Sequence, residues 1–170
     1  MRRLIVLFLG LCIAAEASAQ VLWQNVRYGM TPEEVQAAQP GARRPDRPPT
    51  LFRGAAVCEL QIPGYEVDRL QFDVCFFIQN GRLIQVMMTA TQPSEAAFRS
   101  MSELLQARYG AAMADAGEPC RRVGSLRICE RDWLLENGTN VGILYIDVMG
   151  RAPVLNINYQ VRLRDESRRL

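Results

Sequence analysis

Cys58, Cys75, Cys120 and Cys129 are the residues best suited to chemistry in this 170-residue chain. A fifth cysteine, Cys12, lies in an N-terminal stretch that reads as a removable leader. The four that remain are spaced by 17, 45 and 9 residues and contain no Cys-x-x-Cys knuckle. That spacing disfavours a four-thiolate zinc site, and an even set in an exported chain reads as two disulfides. Three pairings are open; the two local ones, Cys58–Cys75 and Cys120–Cys129, are favoured. No metal and no cofactor is expected. Two carboxylate pairs, Asp68 with Asp73 and Glu130 with Asp132, offer the groups that glycosidases use. They sit in amphipathic strands or turns, where a solvated face accounts for them. The serines Ser94, Ser100, Ser102 and Ser125 lack a Gly-x-Ser-x-Gly elbow.

The missing residue types narrow the chemistry further. There is no histidine, which removes Ser-His and Cys-His pairs and the imidazole base. There is no lysine, since all 20 basic residues are arginine. That removes Schiff-base chemistry and any phosphate loop ending Gly-Lys-Ser/Thr. No catalytic residue is assigned, and a non-enzymatic protein is expected.

Met1-Arg2-Arg3, an apolar run over residues 4–15 and Ala17-Ser18-Ala19 form a three-part export signal over 1–19, cleaved after Ala19. The apolar run is shorter than the ~20 residues that span a bilayer, and Glu16 interrupts it. Leu11 before Cys12 is not the small residue that lipidation requires. No later segment reaches a membrane-spanning length. Without the leader the chain carries 18 basic and 17 acidic residues. Such neutrality argues against nucleic acid as a partner. A periplasmic or secreted location follows.

The elements that must position these residues can be placed by pattern. Thr31-Pro32-Glu33-Glu34 is a capping box with proline at the first helical position, staple residues Met30 and Val35 flank it, and the helix stops before Pro40. Residues 40–50 read as a solvated linker. Strands are predicted at 56–62, ending at Pro63-Gly64, at 70–78, and after the Asn80-Gly81 hairpin at 83–91. Ser94 opens a longer helix whose stripe of Ala97, Met101, Leu104, Leu105 and Arg108 ends at Gly110. Val123-Gly124-Ser125-Leu126 is a candidate hairpin tip clipped by the second disulfide. Strands at 126–135, 141–149 and 154–163 follow, the first two joined at Asn137-Gly138, which reads as a turn rather than a glycosylation triplet. Residues 164–170 form a tail.

The order α-β-β-β-α-β-β-β predicts an α+β fold. In it, two similar halves, about 27–91 and 92–163 within a single domain over 20–163, build an antiparallel sheet of about six strands with two helices on one face. One register problem stands in the way: placing Cys58 directly opposite Cys75 sets Leu60 opposite Asp73. A bulge would repair it, because one extra residue reverses the facing. Trp133 is expected in the core.

The helix-free sheet face is expected to carry Phe77, Leu83, Met87, Ile143 and Tyr145 among polar residues, unless a loop or Leu22-Trp23 covers it. Phe77, Met87, Ile143 and Tyr145 are therefore the candidate binding face for another envelope protein. Two alternatives remain. One is an inhibitor of a secreted hydrolase that inserts loop 40–50 or 111–119. The other is a binder of a small molecule or envelope glycan, or a weak carboxylate-dependent hydrolase, with a pocket enclosing Asp73 or Asp147.

Tyr28-Gly29-Met30-Thr31-Pro32-Glu33-Glu34-Val35 resembles the helix opening of small exported bacterial envelope proteins of the BamE-like and β-lactamase-inhibitor-like (BLIP-like) type. The run 72–78, then Asn80-Gly81-Arg82-Leu83, then a helix ending Arg108-Tyr109-Gly110 is similar to uncharacterised members of that group. The resemblance implies a non-catalytic protein that binds others through a sheet face. The chain departs from BamE-like members in lacking a lipid-anchor cysteine and in carrying a second helix-plus-meander unit.

Overall fold

Asn80 and Gly81 both take positive φ, 51° and 73°, and fold the chain into the tight hairpin that their types demand. That hairpin belongs to a computed structural model describing residues 20–46, 51–52, 56–113 and 119–161. The leader expected at 1–19 and the tail at 164–170 lie outside the described residues. Ten strands and two helices are present among those described: β1 (Val21–Trp23), β2 (Val26–Arg27), α1 (Pro32–Ala38), β3 (Leu51–Phe52), β4 (Ala56–Val67), β5 (Leu70–Gln79), β6 (Arg82–Ala90), α2 (Glu95–Tyr109), β7 (Cys120–Val123), β8 (Leu126–Leu134), β9 (Thr139–Val148) and β10 (Val154–Val161).

The expected α+β class with about six strands is corrected. Of the described residues 53% are in strands and 17% in helices, so the fold is mostly β. Three features make the difference. The N-terminal segment forms its own two-stranded sheet, β1 with β2. The large sheet has eight strands rather than six, because the short β3 and β7 extend its edges. The third is β4, which runs for 12 residues straight through Pro63-Gly64. The pairing shifts between Ile62 and Tyr65, and Gly64, at φ +63°, donates its N–H to the Asp73 carboxylate at 3.1 Å. Pro63-Gly64 is thus a bulge inside a strand. The turn comes at Asp68 and Arg69, both at positive φ (45° and 68°) without a glycine to announce it.

The strand order is β3-β4-β5-β6-β10-β9-β8-β7, antiparallel throughout. Each meander runs inward from a short edge strand, and the two meet at the β6–β10 pair, in register from Asn156 opposite Thr89 to Gln160 opposite Gln85. The core lies on one face of this sheet. It joins Phe72, Phe76, Trp133, Leu155 and Ile157 to Val35 of α1 and to Phe98, Met101 and Leu105 of α2. Leu22, Trp23 and Val26 fill the same core, and the Trp23 ring meets Tyr65 edge-on at 5.2 Å. The Leu22-Trp23 segment therefore packs on the helix side, not over the helix-free face.

Local sequence explains both helices. The Thr31 hydroxyl accepts from the Glu34 N–H at 3.3 Å while the Glu34 carboxylate accepts from the Thr31 N–H at 2.8 Å, a complete capping box. Ser94 caps α2 by accepting from the Ala97 N–H at 3.0 Å, and Gly110 ends it at φ +84°. The segment before α1 is pinned by Gly29 and Met30, which exchange backbone hydrogen bonds with Leu83, both 2.8 Å. Arg43 in the linker is also tied down. Its backbone bridges Gln61 of β4 and its guanidinium pairs with Asp46 at 3.0 Å.

Candidate functional site

Bulges decide which side chains share a face. Between Cys58 and Leu60 the pairing of β4 with β5 shifts, placing Cys58 opposite Phe77 and Leu60 opposite Phe76. Leu60 thereby enters the main core, while Cys58 reaches the other side and bonds Cys75, Cα to Cα 5.7 Å. Cys58 and Cys75 are diagonal neighbours, which is how the pair avoids setting Leu60 against Asp73. Ala56, Cys58, Cys75 and Phe77 form a small second cluster, with Ile84 and Met87 against it. The second disulfide joins Cys120 to Cys129, directly opposite each other in the β7–β8 hairpin, Cα to Cα 4.0 Å. Two bonded pairs suit an oxidising environment.

The candidate binding face divides. Phe77 and Met87 do lie on the helix-free side. Ile143 and Tyr145 do not: they are 1% and 5% exposed and belong to the core shared with α2. The reason is register, because Ile143 pairs with Ile157 and Tyr145 with Leu155, and directly opposed residues share a side. Leu83 also turns into the core. Phe77 opposes Gln85 and Ile78 opposes Leu83, so the intervening Ile84 is a bulge that separates Leu83 from Met87.

The helix-free face is polar at the centre, carries the Phe77 cluster toward β4, where Phe77 itself is fully buried, and has an exposed apolar corner toward β7. The centre holds Asn156, Asn158 and Gln160 of β10; Asn158 accepts from the buried Gln85 amide at 2.8 Å. Gly142 leaves room there for the Asp132 carboxylate, since a Cβ would come within 2.7 Å of it, and Asn140 donates to the same carboxylate at 3.3 Å. Toward β7 the register aligns Leu126 with Val148 and Ile128 with Ile146, and Ile146 with Val154. Val123 opposes Leu126 and is 64% exposed; Val154 is 41% exposed, and Met149 in the adjoining turn 80%. Sequence pattern alone does not mark this corner: Val123 falls in the expected hairpin tip and Met149 closes the strand expected over 141–149.

Three of the four paired carboxylates, Asp73, Asp132 and Glu130, have structural partners. Asp73 accepts from Gly64 at the bulge, Asp132 from Asn140, and Glu130 pairs with Arg121 across the β7–β8 hairpin. No group of three or more His, Cys, Asp or Glu residues able to hold a metal occurs among the described residues.

Among the described residues, two hollows on the helix side bear on the site. The first, about 450 Å³, lies between α2, the β1 segment and the sheet; Trp23, Tyr65, Met88, Met101, Leu104 and Tyr159 shape it. Burial, with a hydrogen bond to Tyr109 adding to it, pushes the Tyr159 phenol above its ordinary range and keeps it protonated. The second hollow, about 400 Å³, lies between α2 and β7–β8 and is charged, with Glu95, Arg99, Arg127 and Arg131 in its wall. Those charges serve one another. Glu95 accepts from Arg99 and from Arg127 (2.9 Å), and Arg131 donates to Gln106 at 3.1 Å. Neither Asp73 nor Asp147 lines either hollow.

Hydrogen bonds from Arg99 first, then Arg127, hold the Glu95 carboxyl below its ordinary value of 4.5. A carboxyl lowered on folding stabilises above its unfolded value and ceases to as pH falls through the folded one. The expected result is a urea midpoint that drops more steeply on acidification below pH 4.5 in the native chain than in Glu95→Gln. Circular dichroism at each pH checks it; parallel curves for the two proteins would contradict it.

No described helix is long and apolar enough to cross a membrane. No family model, no curated protein and no solved structure matches the chain.

Proposed function

We propose that this chain is an exported, disulfide-bonded, non-catalytic protein that acts by binding another envelope protein. The contact is the corner of the helix-free sheet face built by β7, β8, β9 and β10. One observation carries the reading: Val123, Val154 and Met149 are exposed apolar residues gathered beside an in-register row of Ile128 and Ile146. Grouped exposed apolar side chains on a soluble protein mark contact surfaces, whereas scattered ones do not. The polar β10 ladder beside them forms a rim that hydrogen-bonds water when free and a partner when bound. Two disulfides support placement in an oxidising compartment such as the periplasm. The resemblance of the 28–35 motif to BamE-like and BLIP-like proteins points the same way.

The test is capture of partners from envelope extract by the native chain and by the double variant Val123→Asp/Val154→Asp. Both substitutions fall on exposed positions and leave the core untouched. A partner retained by the native chain and by Leu104→Asp on the opposite side, but lost from the double variant, supports the reading. Equal capture by all three proteins refutes it.

A further inference from the structure

Arg108 is an arginine on an apolar helix stripe. Met101, Leu104, Leu105 and Arg108 follow one another at the three- and four-residue steps that align side chains along one side of α2. Met101 and Leu105 are buried against the sheet, while Leu104 remains 39% exposed at the lip of the 450 Å³ groove. A volume of that order lies within the range of small-molecule sites, and walls of leucine, valine and methionine are what such sites present to an apolar body. Met88 and Met101 add unbranched, adaptable side chains that shape themselves to a flexible chain.

Charge in the groove is one-sided. Among the described residues Arg108 is the single charged one in its lining, and no described carboxylate lines it. Among the described residues no carboxylate is ion-paired with Arg108, whose guanidinium lies over the Tyr109 ring at 5.5 Å from its centre. Tyr65 and Tyr159 add phenol groups to the same lining. An apolar trough with one cation and neutral hydroxyls complements a ligand that is apolar along its length and anionic at one end.

We propose that the groove between α2, β1 and the sheet binds a single-chain amphiphile with a carboxylate head, the fatty-acid class. The alkyl chain lies along Trp23, Met88, Met101 and Leu104, and the carboxylate meets Arg108. This site is on the side of the sheet opposite the proposed protein contact, so the two stand or fall separately.

Trp23 lines the groove and reports on it directly. Titrating the full chain with dodecanoate, below its micelle concentration, is expected to give a saturable change in tryptophan fluorescence. Dodecanol, with the same chain and no charge, is expected to bind more weakly by about tenfold or more, the scale of a charge-assisted hydrogen bond. Arg108→Gln is expected to weaken dodecanoate to the level of dodecanol while leaving dodecanol unchanged. Leu104→Glu, which sets a carboxylate at the lip, is expected to abolish dodecanoate binding. Both residues are exposed, and unchanged circular dichroism confirms that each variant is folded. Absence of saturation, equal affinity for acid and alcohol, or native affinity in both variants would each overturn the proposal.

Discussion

Trp133→Ala is expected to lower the free energy of unfolding by about 3–5 kcal/mol, the range for deleting a fully buried large aromatic. Trp133 is 1% exposed and fixes two elements at once. Its ring fills the core where β8 passes beneath α2, and its indole N–H donates to the Gly110 carbonyl at 3.0 Å, at the residue that ends the helix. Deletion therefore leaves a cavity and removes a hydrogen bond from the helix terminus. A domain of this size has only about 5–15 kcal/mol to lose, so the variant is expected to be close to unfolding at ambient temperature. Trp133→Phe separates the two contributions. It keeps most of the volume and leaves the Gly110 carbonyl without its donor, at a cost of about 1–3 kcal/mol. Urea unfolding followed by circular dichroism measures both. If the phenylalanine variant were as unstable as the alanine one, the hydrogen bond rather than the packing would hold the helix end.

The second large effect is expected from the disulfides, and their ranking is informative. Removing Cys58–Cys75 as a double alanine variant should cost about 3 kcal/mol, the loop-closure value for a loop near 15 residues. Cys120–Cys129 closes a loop about half as long, with a sequence separation of 9 against 17, and should cost less. Burial gives the same ranking, because Cys58 and Cys75 are both buried, whereas Cys129 is wholly inaccessible but its partner Cys120 is only partly buried. Denaturant midpoints of the two double variants check it, and the opposite ranking would contradict the loop-length account.

Features dictated by neighbouring residues were readable in the sequence. The capping box at Thr31 and Glu34 and the Asn80-Gly81 turn depend on contacts within four residues, and both form as the chain spells them. The second Asn-Gly site also turns the chain, by another route. Gly138 alone takes positive φ, and the Asn137 side chain accepts from the Thr139 N–H at 3.0 Å. The path through Pro63-Gly64 was not readable, because a bulge and a turn use the same residue types. Facing was the larger loss. Over 141–146, β9 reads Val-Gly-Ile-Leu-Tyr-Ile, with no alternation to tell its sides apart. The phase comes from β10, whose own alternation is clear and whose Ile157 opposes Ile143. That pairing depends on the fold as a whole, so pattern along β9 alone does not place Ile143 and Tyr145 on the core side. Arg108 was visible on its stripe from the start. Its meaning was not, because the groove below it is assembled from β1, β4, β6 and β10 as well as α2.

The position of β10 has a consequence for the order in which the molecule can be completed. It is the last of the described strands in sequence, yet it lies in the middle of the large sheet. While the chain is being synthesised, the first meander is already whole but β6 shows a row of unpaired N–H and C=O groups. Nothing native covers that row until some 60 further residues have emerged, given that β10 begins at Val154 and β6 ends at Ala90. An incomplete chain thus offers a nine-residue sticky edge to any other strand, including the β10 of a sister molecule. Losing the C-terminal strand would not trim the sheet. It would split it down the centre.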